Sequence, residues 1–266
     1  IDKRIRKLIN LMKIQNNFVD IIMPNFNKAD YLEEALNSVK NQTFKDWKLY
    51  IIDDCSNDKS NEILKKYEKD DKIKIIKLKK NKGPSFCRNL GIRLSNHNYI
   101  SFLDSDDYWE KNKLIEQVSF MEKNNMSFTY TDYIPFFQKK KNIRFLKRTN
   151  LKDSFNFSQF TTNSSINTTT MIISRSIVKN LKFKKVKKLE DYLFKCQILR
   201  RNVVAYKFNK ASAFYRILKE SRSSQRFQNI LYLWKINQKY NKFSPLRNLF
   251  SIFMISVNSL IKYGFK

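Results

Sequence analysis

Glycine is scarce in this chain, with three among 266 residues, and its scarcity excludes the common phosphate-binding loops. The sequence contains neither the GxGxxG turn of dinucleotide-binding folds nor the GxxxxGK[ST] loop, which both need glycine where the backbone approaches a phosphate. If this chain binds a nucleotide, it does so through a binding site other than a glycine-rich phosphate loop.

Cysteine is also rare. Cys55, Cys87 and Cys196 lie far apart without metal-ligand spacing, so we expect unpaired thiols in a reducing compartment. No signal-peptide pattern opens the sequence, which favours a cytoplasmic protein. The first residue is not methionine, and Met12 leads directly into a strand-like run, so residues 1–11 are interpreted as an upstream extension or a remnant of truncation.

Acidic residues are outnumbered, because 24 Asp and Glu stand against 53 Lys and Arg and give a formal net charge of +29. This charge is compatible with nucleic acid, an anionic membrane or acidic small molecules as partners. The abundance of Lys, Asn and Ile, as in proteins encoded by AT-rich DNA, is a plainer explanation. With 42% hydrophobic residues, the chain can bury a sizeable core.

Four apolar runs alternate with helix-like segments over the first 125 residues. They are predicted as strands at Val19–Met23, Leu49–Asp53, Ile73–Leu78 and Tyr99–Leu103. The alternation predicts an α/β fold with a doubly wound, mostly parallel sheet flanked by helices, whose ligands bind at the carboxyl ends of the strands.

Polar segments follow these strands: "PNFN" at 24–27, "DDCSND" at 53–58, "NKGPSFCRN" at 81–89 and "DSDD" at 104–107. A nucleic-acid-binding protein would carry basic residues at these ends, where phosphates dock. Acids there would repel a phosphate backbone unless a metal ion intervened. The pattern therefore disfavours nucleic acid as the partner.

The pattern changes after about residue 127. "SFTYTDYIPFF" predicts one or two strands, and "TTMIISRSIV" predicts a strand leading into a helix. "LEDYLFKCQILRR" has helical spacing, with Glu190 and Asp191 in its first turn, where the helix dipole alone could account for acids. Arg216, Arg222 and Arg226 could grip a diphosphate or belong to a solvated basic loop.

The end of the chain is basic and amphipathic. The segment "SPLRNLFSIFMISVNSLIKYGFK" predicts a helix with one apolar stripe. Its apolar stretch Leu249–Ile261 is shorter than the ~20 residues of a spanning helix. Two interpretations stay open: the helix packs on the domain, or it lies in an anionic membrane interface.

Three segments resemble the amino-terminal half of family 2 glycosyltransferases in their order and spacing. They are "DIIMPNFNKADYLEEALNSVKNQTFKDWKLYIIDDCSND", "NKGPSFCRNLGI" and "YISFLDSDDYWEKNKL", and "LEDYLF" is similar to a later acidic motif of that family. The resemblance runs from about Val19 to Leu114 and is loose at 127–180 and after Tyr215. It implies a GT-A fold and an inverting, nucleotide-sugar-dependent enzyme.

The sequence pattern and the resemblance together predict four parts of the chain. These are an amino-terminal extension (1–17), a nucleotide-sugar-binding half (18–125), a half with the acceptor site and the catalytic base (126–215), and a basic amphipathic helical tail (216–266).

The resemblance also implies roles for particular residues. The base-binding loop would be lined by Pro24, Asn25, Phe26 and Asn27, and the uracil and ribose would be contacted by Asp53 and Asp54. The segment that closes over the nucleotide would include Gly83 and Arg88. Asp104 and Asp106 match the DxD motif, and Asp191 matches the catalytic base, with Glu190 as its neighbour. Cys55 stands where glycine is usual, so this turn forms without glycine's freedom.

The chemistry of sugar transfer explains carboxylates after the fourth strand. A departing diphosphate gathers negative charge, which Mn²⁺ or Mg²⁺ can neutralise as a Lewis acid. The two aspartates of an extended D-S-D point to one side, roughly 6–7 Å apart. We expect Asp106 to hold the metal, Asp104 to contact the ribose or a metal-bound water, and Asp107 to support either. Without metal and diphosphate we expect the three to be unpaired.

Inversion needs a base that takes the proton of the acceptor hydroxyl, a contribution of about 10²–10⁴-fold in rate. Asp191 is the predicted base. Lys185, Lys187 and Lys188 precede it and would favour its ionised form if they lie close in space.

The sequence thus predicts a metal-dependent inverting enzyme that moves a hexose or N-acetylhexosamine from a UDP-sugar to a glycan or lipid-linked acceptor, in synthesis of lipopolysaccharide or another surface polysaccharide. We expect it at the inner face of the cytoplasmic membrane, touching anionic lipid through residues 227–266, without a nucleic-acid partner. The alternatives are a non-enzymatic basic protein that binds nucleic acid or membrane, a sugar-nucleotide pyrophosphorylase, and a degenerate transferase that only binds.

Overall fold

Ten strands in the described part of the chain form one sheet. The computed structural model describes residues 18–139, 142–218 and 226–263, so the predicted extension at 1–17 and Arg222 lie outside it. The strands are β1 (Val19–Asn25), β2 (Trp47–Asp53), β3 (Ile73–Lys77), β4 (Tyr99–Phe102), β5 (Tyr108–Trp109), β6 (Phe128–Lys139), β7 (Asn142–Phe145), β8 (Ser154–Phe155), β9 (Ile172–Ser174) and β10 (Ala205–Arg216).

Helices cover the sheet and continue beyond it. They are α1 (Ala29–Lys40), α2 (Ser60–Lys65), α3 (Pro84–Leu94), α4 (Lys113–Lys123), α5 (Phe157–Thr161), α6 (Arg175–Val178), α7 (Glu190–Leu199), α8 (Arg226–Lys239) and α9 (Pro245–Tyr263), with a 3-10 turn at Thr168–Thr170. Among the described residues, no helix combines the length and apolar character needed to cross a membrane.

The strand order is β3-β2-β1-β4-β9-β6-β10-β5, with β7 beside β6 and β8 beside β10. Strands β3, β2, β1 and β4 are parallel, as are β6 and β10, whereas β9 runs antiparallel to both β4 and β6. The predicted α/β class, with a mostly parallel sheet and a helical carboxyl-terminal extension, is confirmed. Each of the four predicted strands lies within two residues of its predicted bounds.

Helix α3 sits unusually close to the central strand β1. A Cβ atom at Gly91 would lie 2.4 Å from Cγ2 of Ile22, so only glycine allows this approach. Ile22 is itself fully buried, as expected for a parallel strand covered on both faces. The contact fixes α3 on the sheet and with it Arg88, which lies about one turn earlier in the same helix.

Candidate active site

A cleft of about 1530 Å³ lies at the carboxyl ends of β1, β2, β4 and β10, and both halves of the chain contribute to its walls. The predicted residues that line it are Pro24, Asn25, Phe26, Asp54, Gly83, Arg88, Asp104, Asp106, Glu190 and Asp191. Asn27, Asp53 and Asp107 are not part of the lining. Pockets for small ligands are typically about 300–1,000 Å³, so this cleft is larger than a pocket for one small ligand.

Asp53 fastens the loops after β1 and β2 to each other. Its Oδ1 accepts hydrogen bonds from Asn25 Nδ2 at 2.7 Å and Ser56 Oγ at 2.6 Å, and its Oδ2 accepts from the Ser56 backbone at 3.0 Å. Asp53 is buried, so it shapes the predicted base-binding loop from behind. Cys55 adopts φ +66°, the left-handed conformation that glycine takes without steric cost.

Asp54 joins the second loop to the start of α3. The backbone N–H groups of Lys82 and Gly83 donate to its two carboxylate oxygens at 2.7 and 2.8 Å. Gly83 has φ +83°, which only glycine adopts readily, and Pro84 opens the helix behind it. Of the predicted pair, Asp54 is the carboxylate placed on the cleft wall.

Arg88 connects the two acidic motifs. Its Nη2 lies 2.6 Å from Asp104 Oδ1, and its Nη1 lies 3.3 Å from Glu190 Oε1. One guanidinium therefore ties the end of β4 to the start of α7. Burial by itself lowers the pKa of Arg88, but Asp104 and then Glu190 raise it above its ordinary value, so the side chain stays charged.

Asp106 faces the cleft and pairs with a lysine. Lys28 Nζ lies 2.8 Å from Asp106 Oδ2, and both side chains are partly exposed. Burial raises the pKa of Asp106; Lys28 lowers it and Asp104 raises it, and the net pKa is above the ordinary value. The expectation that these carboxylates are unpaired is wrong, because Lys28 and Arg88 already neutralise Asp106 and Asp104.

Asp107 turns away from the cleft toward β10. Its Oδ1 accepts from the backbone N–H of Arg216 at 2.9 Å, and its Oδ2 accepts from Thr169 Oγ1 at 2.8 Å. Burial, followed by the charges of Asp106 and Asp104, raises the pKa of Asp107 well above its ordinary value. Residues 104–107 are called the acidic turn. The placement of Asp107 favours support of this turn over direct contact with a metal.

Arg216 clamps the same turn. Its Nε donates to the carbonyl oxygen of Asp106 at 2.8 Å, and its Nη2 pairs with Glu34. The guanidinium also lies 4.5 Å from the ring centre of Tyr31. These contacts give Arg216 a positioning role at the edge of the cleft, whereas sequence reasoning offered a diphosphate contact or a solvated basic loop. The loop alternative is wrong for Arg216, which is buried at the end of β10. The side chain of Arg226 lies outside the described residues.

Asp191 opens onto the cleft from the first turn of α7, with 38% of its side chain exposed. Its Oδ2 accepts from Lys195 Nζ at 2.9 Å and from Thr168 Oγ1 at 3.3 Å. Burial alone would raise the pKa of Asp191, but Lys195 and then Arg88 outweigh it and hold the pKa well below its usual range. The carboxylate is therefore ionised at neutral pH.

Lys195, like Lys28 and Thr168, is a site residue that sequence reasoning missed. Its side chain is buried, and its Nζ also donates to the carbonyl oxygen of Ile166 at 2.8 Å. We predicted that the three lysines before Asp191 would set its charge state, but the cation in contact comes one helical turn after it. The i,i+4 spacing of an acid and a base on one helix was the available signal.

Comparison with known proteins decides the family. Residues 20–205 match the profile of Glycosyl transferase family 2, a span that contains both acidic motifs. The chain belongs to glycosyl transferase family 2. The resemblance inferred from the motifs is thereby confirmed, and the cleft described above is the candidate active site of a glycosyltransferase.

Comparison with individual relatives covers nearly the whole of this family 2 protein. It is 28% identical over 247 residues to the UDP-Glc:alpha-D-GlcNAc-diphosphoundecaprenol beta-1,3-glucosyltransferase WfgD of Escherichia coli, covering 93% of this chain and 95% of the relative. The structure of S. aureus TarS 1-349 in complex with UDP-GlcNAc matches 91% of this chain and 71% of that chain, with a TM-score of 0.69 and 20% identity.

A second solved structure is the mannosyltransferase PcManGT from Pyrobaculum calidifontis in complex with GDP-Man and Mn2+. The match covers 94% of the protein described here and 77% of the PcManGT chain, with a TM-score of 0.66 and 12% identity. At these identities the two structures show the shared GT-A fold.

The donor set of this glycosyltransferase suits a hard cation only in part. Within the described residues, no group of three or more His, Cys, Asp or Glu side chains could hold a metal ion by itself. Asp106 offers carboxylate oxygens to the cleft, which Mg²⁺ and Mn²⁺ prefer, while Asp104 is engaged by Arg88. A cation held at Asp106 would need most of its ligands from the substrate and water.

Proposed function

We propose that this protein is a metal-dependent, inverting glycosyltransferase that moves a hexose or N-acetylhexosamine from a UDP-sugar to a hydroxyl group of a glycan or lipid-linked acceptor. The observation that carries the proposal is the ionised Asp191 carboxylate, which faces the same cleft as Asp106. Its neighbour Glu190 is tied to Asp104 through Arg88. The proposed base and the proposed donor site are thus held together by the ion pairs of Arg88.

The donor half of the cleft supports a nucleotide ligand. Pro24, Asn25, Phe26 and Asp54 line its wall next to Gly83, and Phe26 is 45% exposed, which leaves an aromatic face for a base to contact. The UDP-Glc donor of the E. coli relative and the UDP-GlcNAc of the TarS complex favour uridine.

Asp106 is the residue that would hold Mn²⁺ or Mg²⁺, with Asp104 and Asp107 supporting its position. When bound there, such an ion would neutralise the charge of the departing diphosphate. Asp104 places a second negative charge near Asp106, and that charge favours an added cation at this place. The Mn²⁺ in the PcManGT complex is consistent with this assignment.

Asp191 performs the proton step. As the acceptor oxygen bonds to the anomeric carbon, the bond from that carbon to the diphosphate oxygen breaks and its electron pair leaves with UDP. The proton of the acceptor hydroxyl passes to an Asp191 oxygen. Lys195 and Thr168 hold that carboxylate in place, and Glu190 fixes the helix start through Arg88. Attack from the face opposite the diphosphate inverts the anomeric centre.

The chain's relatives and its charge support the proposed acceptor and location. The E. coli relative acts on a sugar carried by diphosphoundecaprenol, and a net charge of +29 favours an anionic surface. We place this enzyme at the inner face of the cytoplasmic membrane, in assembly of lipopolysaccharide or another surface polysaccharide.

The test replaces the base. Asp191→Asn should lower turnover by about 10²–10⁴-fold while UDP binding, measured by isothermal calorimetry, stays close to that of the wild type. Asp153→Asn is the matched control, since Asp153 is 93% exposed and is not part of the cleft lining. Turnover retained in Asp191→Asn would overturn the assignment.

A further inference from the structure

Helix α9 exposes its apolar side. Four large side chains point to solvent: Leu246 (80% exposed), Leu249 (57%), Phe250 (58%) and Phe253 (63%). Their i, i+3, i+4, i+7 spacing places them on one face of the helix. These four residues are called the outer stripe.

The opposite side of α9 is polar and buried. Asn248 and Ser251 have almost no exposed surface. Ser251 Oγ donates to the carbonyl oxygen of Thr161 at 2.6 Å, and Asn248 Nδ2 donates to that of Trp234 at 3.0 Å. Turning the outer stripe inward would break these bonds and leave buried polar groups unpaired. Hydrogen bonds therefore fix which face of α9 points outward.

A buried asparagine links α9 to the catalytic helix. Asn237 Oδ1 accepts from the Tyr192 hydroxyl at 2.8 Å, and its Nδ2 donates to Asn248 Oδ1 at 3.0 Å and Ser251 Oγ at 3.1 Å. Tyr192 is the neighbour of Asp191 in α7. The outer stripe is thus held in a defined position relative to the proposed base.

The far end of α9 reaches the cleft. Ile255, Asn258 and Leu260 belong to its lining. At 1.5 Å per residue, Leu260 lies roughly 10 Å along the helix from Phe253. One helix therefore leads from an exposed apolar surface to the active-site cleft.

The charges around α8 and α9 select the partner. Exposed cations stand at Lys235, Lys239, Lys242 and Arg247, and the sequence after Glu220 contains no acid. A second copy docked stripe to stripe would bring like charges together, which opposes association. An anionic surface with an apolar layer beneath it complements both features.

We propose that the outer stripe is the docking surface for an anionic lipid bilayer, with the four apolar side chains at the headgroup boundary and the cations of α8 and α9 against lipid phosphates. The orientation it gives the cleft rests on the proposed function: a lipid-carried acceptor would reach Asp191 along the carboxyl-terminal half of α9. Docking itself stands on the geometry of the helix.

The experiment is flotation of the full chain with phosphatidylglycerol–phosphatidylcholine vesicles and with phosphatidylcholine vesicles alone. We expect the wild type to float with the anionic vesicles. Leu249→Ser/Phe253→Ser should lose about tenfold or more of this binding, because two large apolar side chains no longer leave water. Ile143→Ser/Phe145→Ser is the matched control, as both residues are similarly exposed on β7, and it should float like the wild type.

Two further measurements keep the outcomes distinct. Thermal melting should show the stripe variant folded, and UDP binding should be unchanged, so a loss of flotation is not a loss of the donor site. Equal flotation of the stripe variant and the wild type, no flotation of the wild type, or a stripe-dependent dimer in solution would each overturn the docking surface. Flotation without UDP binding would instead overturn the proposed function and leave the surface intact.

Discussion

Asp106 and Asp191 occupy one cleft, and each lies close to a lysine, at 2.8 and 2.9 Å. Their pKa values nevertheless shift in opposite directions, upward for Asp106 and downward for Asp191. Asp106 has another acid, Asp104, as its neighbour, whereas Asp191 has the additional charge of Arg88. The comparison teaches that the second neighbour sets the direction of the shift. The negative charge of Asp104 favours an added cation at Asp106, and the positive charge of Arg88 keeps Asp191 in the ionised form that a base needs.

The largest effect is expected from removing Arg88, the arginine that connects the two acidic motifs. Arg88→Met leaves Asp104 and Glu190 without their shared partner, and breaking a buried ion pair costs about 3–5 kcal/mol. Urea unfolding should show a loss of this size. Arg93→Met, an exposed substitution in the same helix, should change the free energy of unfolding little. Equal effects of the two would remove Arg88 as the tie between the motifs.

A smaller effect is expected from the lysine beside the base. Since Lys195 lowers the pKa of Asp191, their pairing stabilises the fold above the pKa of an unfolded aspartate and is lost as the pH falls through the folded value. In Lys195→Met the acid limb of kcat/KM should move to higher pH. Solvent weakens the pairing at a partly exposed carboxylate, so we expect roughly a threefold to tenfold loss at pH 5 relative to pH 8.

The pH profile of Lys195→Met needs a control for general effects of losing a charge. Lys123→Met removes an exposed helical lysine that is not part of the cleft lining and should keep the wild-type profile. An unchanged acid limb in Lys195→Met would show that Asp191 is ionised by other means.

The smallest effect concerns the lysine beside the acidic turn. Because Lys28 neutralises Asp106, Lys28→Met should bind Mn²⁺ alone about twofold to fivefold more tightly, the size expected for a partly exposed ion pair. Calorimetric titration with MnCl₂ measures this directly. Lys66→Met, which breaks the exposed pair with Glu33, should leave Mn²⁺ affinity unchanged. Weaker Mn²⁺ binding by Lys28→Met would contradict competition at Asp106.

The donor half was predictable because its chemistry follows its strands directly in sequence. The apolar runs of β1, β2 and β4 fix the sheet, and parallel strands bring the residues after them to one edge. That reasoning placed Asp54, Asp104 and Asp106 on the cleft, as found. It could not tell that Asp53 supports a loop, because adjacent carboxylates in a turn differ only in their hydrogen-bond partners.

The remaining features depend on contacts between distant segments. Arg88 meets Glu190 across 102 positions of sequence, and Asp107 meets Arg216 across 109. The periodicity of α9 predicted the helix and its stripe but left open which face points outward, because that choice depends on the buried partners of Asn248. Composition and periodicity carry no information on such pairs.

The division of labour in the cleft is the central claim, and one thermal-shift series tests it. UDP and Mn²⁺ together should raise the melting temperature of the wild type and of Asp191→Asn, since ligands that bind the native state stabilise it. In Asp106→Asn the Mn²⁺-dependent part of the shift should be lost, although turnover is lost in both variants. An equal Mn²⁺-dependent shift in all three proteins would contradict the account.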